Sequence, residues 1–207
     1  MSDGDPPRRV GPAGTAHAVW YVALSQIAFA FFLAICVAIH PGLVIKVNEG
    51  GMSNYGVHAK TVVPYTLALG FASALTYWGA RRIPTITTSA RRFQALLRAY
   101  SWLVLLTLVT TYGYTLNAPL KYVHVTVGVT IIVFESAASL WMYWAVRSLR
   151  SVLFVQLLGF ALAALTFFGA LHVLFLSQIL TGGGFALLLV RACRRLAPSP
   201  DGLIRAR

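Results

Sequence analysis

Acidic residues are scarce in this chain. Five Asp and Glu stand against 17 Lys and Arg, and the five are Asp3, Asp5, Glu49, Glu135 and Asp201. Only 11% of the 207 residues are charged, against roughly a quarter in a soluble domain, so no sizeable soluble domain fits beside the apolar segments. The two cysteines, Cys36 and Cys193, fall at opposite ends of the expected topology, which excludes a disulfide framework. No Cys/His spacing suits structural zinc. There is no His-Glu-x-x-His pair, no Gly-x-Ser-x-Gly elbow and no phosphate-cradling loop with lysine. The net charge of +12 does not signal nucleic acid, because the basic residues lie in short clusters between apolar runs. No cofactor is indicated by a motif, and haem is left only as two histidines without a paired stack across the membrane.

Apolar runs are what the chain has in abundance. Hydrophobic residues make up 58% of it. Six stretches emerge, over residues 18–39, 62–80, 96–116, 122–146, 151–170 and 173–193. The last two share a 40-residue run, 151–190, which as one helix would be about 60 Å long, twice the ~30 Å of a bilayer core. That run must fold back. The expected turn is near Gly169–His172, with Gly182-Gly183-Gly184 as its rival. The fold class expected is therefore all-α: a polytopic membrane protein of six transmembrane helices over residues 17–195, with both termini cytoplasmic. Residues 1–16 read as a disordered cytoplasmic tail and 196–207 as a second cytoplasmic tail. Small residues that recur at helical spacing, Gly159 with Ala163 and Ala68 with Ala72, mark expected close helix packing.

Orientation follows from lysine and arginine. With the N-terminus inside, all 14 arginines fall on inner segments and all three lysines, Lys46, Lys60 and Lys121, on outer ones. An alanine- and arginine-rich chain of this kind suggests the cytoplasmic membrane of a bacterium. The first outer loop, residues 40–61, is the longest connection. Within it, residues 43–47 read as a short strand or an interfacial segment.

Glu135 is the residue that stands out. It lies alone in an uncharged run, 122–146, at a depth where a carboxyl group is costly. His124, Gly128 and Ser139 share its face: eleven residues turn a helix by about 1100°, which returns His124 to within roughly 20° of Glu135. No Lys or Arg lies at its depth in another span. Its expected partners are neutral: Gln26, Ser73, Thr107, Thr110, Thr111, Gln178 and Thr181. A carboxyl so placed takes up a proton unless a cation binds it. It is the candidate acid/base or proton relay, or else a structural hydrogen-bond donor between helices.

Four histidines, His40, His58, His124 and His172, map to the outer face. They are the candidate metal ligands, or else scattered interfacial residues whose rings tolerate both phases. With Glu49, Asn54, Lys60 and Lys121, His58 and His124 would line an outward-facing pocket, whose lysines favour an anionic headgroup. Three readings follow. One is a pocket that binds a lipid headgroup or a small solute, proton-linked through Glu135. Another is a membrane-embedded, metal-dependent lipid-modifying enzyme. The third is a non-catalytic accessory subunit packed against a partner membrane protein.

The loop Met52-Ser53-Asn54-Tyr55-Gly56, followed by Thr61-Val62-Val63-Pro64-Tyr65, resembles the Frag/DRAM/Sfk-type six-span membrane proteins and their bacterial relatives. These carry a Ser–polar–x–Gly turn after span one, then a helix opening near a proline. The resemblance covers this loop and span two, and implies a lipid-related or regulatory membrane role. Ceramidase-like membrane hydrolases, which use several His with Asp and Ser on zinc, are excluded by the lack of an aspartate in any span and of a His-x-x-x-His pair.

Overall fold

The computed structural model describes residues 12–146 and 150–196. Of the expected tails, residues 1–11 and 197–207, with Arg8, Arg9, Arg205 and Arg207, lie outside the described residues, as does Arg147, while residues 12–16 and 196 are helical, at the ends of the first and last helices. Six long helices carry the fold: α1 Pro12–Ile39, α4 Val62–Arg81, α5 Thr88–Gly113, α6 Ala118–Val146, α7 Arg150–Phe167 and α8 Leu174–Leu196. Between α1 and α4 lie two short ones, α2 Val44–Gly50 and α3 Ser53–Val57. There is no strand among the described residues.

Local chemistry sets the helix ends. Pro41 forbids continuation of α1, and His40 leaves the helical region at φ −140°, ψ 68°. Thr87 caps α5, its hydroxyl accepting from the Ala90 amide at 3.1 Å. Asn117 does the same for α6 through the Leu120 amide at 2.9 Å, with Pro119 in the first turn. The long apolar run breaks at Gly169, which takes φ +76°. There Gly169 N donates to the Thr166 carbonyl and Ala170 N to that of Leu165, the paired closure of a left-handed helix end. Gly182-Gly183-Gly184 stays helical within α8.

Five helices, α1, α5, α6, α7 and α8, are long and apolar enough to cross a membrane. The 20-residue α4 is not among them, diluted by Tyr65, Thr66, Thr76 and Tyr77. The exterior is as apolar as the interior: Trp20, Trp78, Trp102 and Trp144 are all more than half exposed. Soluble monomers rarely leave so much apolar surface in water, and with the five apolar helices this is the surface of a multi-pass membrane protein.

Short connections make neighbouring helices antiparallel. Helices α1, α4, α5, α6 and α8 pack each on the next to form a closed ring, with α8 returning to α1. Helix α7 lies outside it, against α8 and α6. One end of the ring carries α2 and α3; the other carries Arg81, Arg82, Arg91, Arg92, Arg150, Arg191, Arg194 and Arg195. Polar clasps tie the ring together within the apolar layer. Ser73 and Ser101 each donate to the other's carbonyl, at 3.0 and 2.9 Å. Thr76 donates to Ser25 at 3.1 Å.

Residues 43–47, expected as a strand or interfacial segment, are helical. A 3-10 turn over Pro41–Leu43 runs straight into α2. Leu43 and Val47 are both buried; they stand four apart, the spacing that places two side chains on one helix face. A strand would have turned one of their neighbours inward and found no partner edge.

Candidate functional site

The uncharged run around Glu135 folds as expected for a two-faced helix. His124, Glu135 and Ser139 are buried, while Val129, Val133, Ala137, Leu140 and Trp144 on the opposite face are exposed. The polar stripe thus looks into the ring. A cavity of about 130 Å³ runs along it. Every ring helix supplies wall residues: Gln26 from α1, Tyr65 from α4, Tyr100 and Thr107 from α5, His124 and Glu135 from α6, Gln178 and Thr181 from α8. Helix α7 supplies none among the described residues. Met52 and Ser53, where α3 begins, close the α3 end. The volume corresponds to roughly four waters at about 30 Å³ each, below the 300–1,000 Å³ of sites for drug-sized molecules.

Four of the seven expected neutral partners, Gln26, Thr107, Gln178 and Thr181, do share the cavity with Glu135. The other three are committed elsewhere. Ser73 belongs to the Ser101 clasp; Thr111 donates to the Thr107 carbonyl at 2.7 Å; Thr110 bonds His124 at 3.0 Å. Tyr100, which no apolar or polar pattern in the sequence singles out, shares the cavity wall with Glu135. Taking the third span as 96–116 puts residue 100 near the membrane edge, but α5 begins at Thr88, which moves Tyr100 to mid-depth. Its ring is braced edge-on by Phe185, centroids 4.9 Å apart.

His124 is locked at the other end of the cavity. Its Nδ1 lies 3.0 Å from the Thr110 hydroxyl and its Nε2 lies 2.6 Å from the Ser53 hydroxyl. Both ring nitrogens are used, leaving neither free for a metal. Tyr114 stacks on the same ring at 5.0 Å and donates to Asn54 Oδ1 at 2.9 Å, while the Asn54 amide nitrogen donates to the Gly51 carbonyl. Asn54 is therefore occupied in holding α3 down. The Met52 amide adds a bond to Gln178 Oε1 at 2.9 Å. Beneath this cap, burial and then the nearby Cys36 thiol push the Tyr55 phenol above its usual range.

The remaining candidates disperse. His40 and His58 meet edge-to-face, centroids 4.4 Å apart, but no group of three His, Cys, Asp or Glu placed to hold a metal ion occurs among the described residues. His172 is exposed in the α7–α8 connection. Lys60, Lys121 and Glu49 are exposed and line no part of the cavity. A wider opening of about 460 Å³ lies at the arginine end, walled by Tyr21, Trp78, Arg81 and Arg82. It holds no acid, and the convergence of buried polar groups makes the Glu135 cavity the candidate site. No known protein family, curated protein or solved structure matches the chain.

Proposed function

We propose that this chain is a six-span protein of a bacterial cytoplasmic membrane whose Glu135 cavity binds a small polar solute, with Glu135 exchanging a proton. Six spans follow if α4 is counted, since 20 residues rise about 30 Å, the thickness of the hydrocarbon layer. The described arginine clusters then lie inside, and α2 and α3 outside. The observation that supports the binding reading is the meeting of Glu135, Tyr100, Gln26, Thr107, Gln178 and Thr181 around one small cavity in the apolar layer. Such groups are expensive to keep at that depth without a use. Volume favours a small solute over a headgroup.

A lipid-binding reading attaches instead to the arginine end. Arg81 and Arg82 beside Tyr21 and Trp78 offer guanidinium groups and an aromatic wall, a combination suited to a lipid phosphate at the membrane boundary. The resemblance to Frag/DRAM/Sfk-type proteins would add a lipid-related role of this kind.

Native mass spectrometry on protein extracted gently from its own membrane tests both. Wild type should carry a small polar molecule that Glu135→Gln loses. A bound phospholipid lost on Arg81→Ala with Arg82→Ala would favour the second reading. A bare chain from every preparation would sink both.

A further inference from the structure

Beyond the cavity, a second polar layer lies where α6, α7 and α8 meet. Gln156 on α7 and Ser139 on α6 are fully buried, and Thr181 on α8 is 1% exposed. Gln156 Oε1, Ser139 Oγ and Thr181 Oγ1 have no hydrogen-bond partner among the described residues. For the two hydroxyls this is unusual. A helical Ser or Thr can give its proton to the carbonyl four residues back, and eight others among the described residues do so, at Thr66, Thr107, Thr110, Thr111, Thr126, Thr130, Ser136 and Thr166. Ser139 and Thr181 do not take that bond.

Sequence spacing, a shared cavity wall and one hydrogen bond place these residues around Glu135. Ser139 is one turn along from it on α6, at 40° around the helix, between Glu135 and Ser136. Thr181 lines the cavity that Glu135 lines. Gln156 is fixed by its Nε2, which donates to Ser136 Oγ at 3.2 Å. Close α7–α8 packing pins the seam: a Cβ on Gly184 would lie 2.6 Å from the Gln156 Cβ, and one on Gly159 would lie 2.6 Å from Thr181 Oγ1.

We propose that Glu135, Ser139, Gln156 and Thr181 form a site for a small, hard monovalent cation of the sodium type. All four donors are oxygen, which selects hard cations. One carboxylate balances one positive charge, and a divalent ion would leave an excess charge in the apolar layer. Binding is an exchange: the Glu135 carboxyl O–H breaks, the proton leaves through the cavity, and the carboxylate takes the cation. The groups facing Glu135 leave no other counter-charge. Around the cavity they are Tyr65 on α4, Tyr100 on α5, His124 on α6 itself, Gln26 on α1 and Gln178 with Thr181 on α8; from α7, Gln156 reaches Ser136, the residue after Glu135. The site rests on the reading that Glu135 exchanges a proton, and names what replaces it.

Sodium chloride added to purified protein in weakly buffered choline chloride tests this, with a pH dye and the melting temperature as readouts. Wild type should release close to one proton per chain and gain thermal stability. Ser139→Ala and Gln156→Met, folded by circular dichroism and gel filtration, should weaken the sodium response on the order of tenfold, and Glu135→Gln should abolish proton release. No response of wild type to lithium, sodium or potassium overturns the site, as an internal water there would predict. If wild type still carries its solute by mass spectrometry, only the cation site falls. A response lost in Glu135→Gln but unchanged in Ser139→Ala and Gln156→Met also overturns it, placing the cation in the main cavity.

Discussion

Ser53 and His124 stand 71 residues apart in the chain, yet the Ser53 hydroxyl and His124 Nε2 lie 2.6 Å apart. This bond joins the short α3 to the mouth of the Glu135 cavity. Replacing the hydroxyl should loosen the cap while leaving the ring intact. Ser53→Ala is expected to cost about 1 kcal/mol. Hydrogen–deuterium exchange should rise in residues 51–57 and stay unchanged in α5 and α6. Uniform acceleration along the whole chain would show that α3 is part of the ring's own stability.

Tyr100 and Glu135 form the polar floor of the site. Tyr100→Phe removes a hydroxyl from the cavity that Glu135 lines but keeps the ring against Phe185. Leaving a buried polar group short of a partner costs about 1–3 kcal/mol, so the melting temperature should fall. Solute carried by wild type should be retained less well. A variant that melts and binds like wild type would mean that Glu135 draws its support from the cavity's water.

The tightness of the cap is testable at Gly56. A Cβ there would lie 2.5 Å from Thr111 Cγ2 and 2.6 Å from the Tyr65 ring. Gly56→Ala should therefore overpack the junction and cost about 1–3 kcal/mol. Gly70→Ala, whose Cβ would meet nothing within 4 Å, should be neutral or slightly stabilising, because alanine is the better helix former. Thermal unfolding of the two variants in the same detergent makes the comparison.

Much of the fold was legible because it rests on local chemistry. Pro41, Asn117 and Gly169 act on their own neighbours, and the apolar runs between them declare the helices. The buried face of α6 was legible for the same reason, as one periodic stripe around Glu135. What escaped depends on contacts remote in sequence. Whether residues 43–47 coil or extend is decided by the ring they pack on. Asn54 reads as a ligand until Tyr114 arrives to occupy it, 60 residues on. Lys60 and Lys121 share an end of the molecule with the cavity but not its wall, and position along the chain alone does not separate the two. Tyr100 was missed because the helix extends past the apolar run into Arg91 and Arg92, shifting the depth of every residue on it.

Topology can be read with thiol chemistry, since the protein's own cysteines are silent. Cys36 and Cys193 are both fully buried, and burial raises a thiol's resistance to alkylation. Native protein should ignore a membrane-impermeant maleimide and react at both sites only after denaturation. Against that background, Lys60→Cys, between α3 and α4, should label in intact cells. Arg91→Cys, on the first turn of α5, should label only after the membrane is opened. The pair brackets α4, the one long helix that composition leaves outside the membrane-crossing group. Labelling of both residues from the same side would mean that α4 does not cross. The chain would then have five crossings at most, and with the N-terminus inside the arginine clusters of α4, α5 and α8 would all lie outside. That outcome would contradict the charge bias that orients the chain, so the experiment tests the span count and the orientation together.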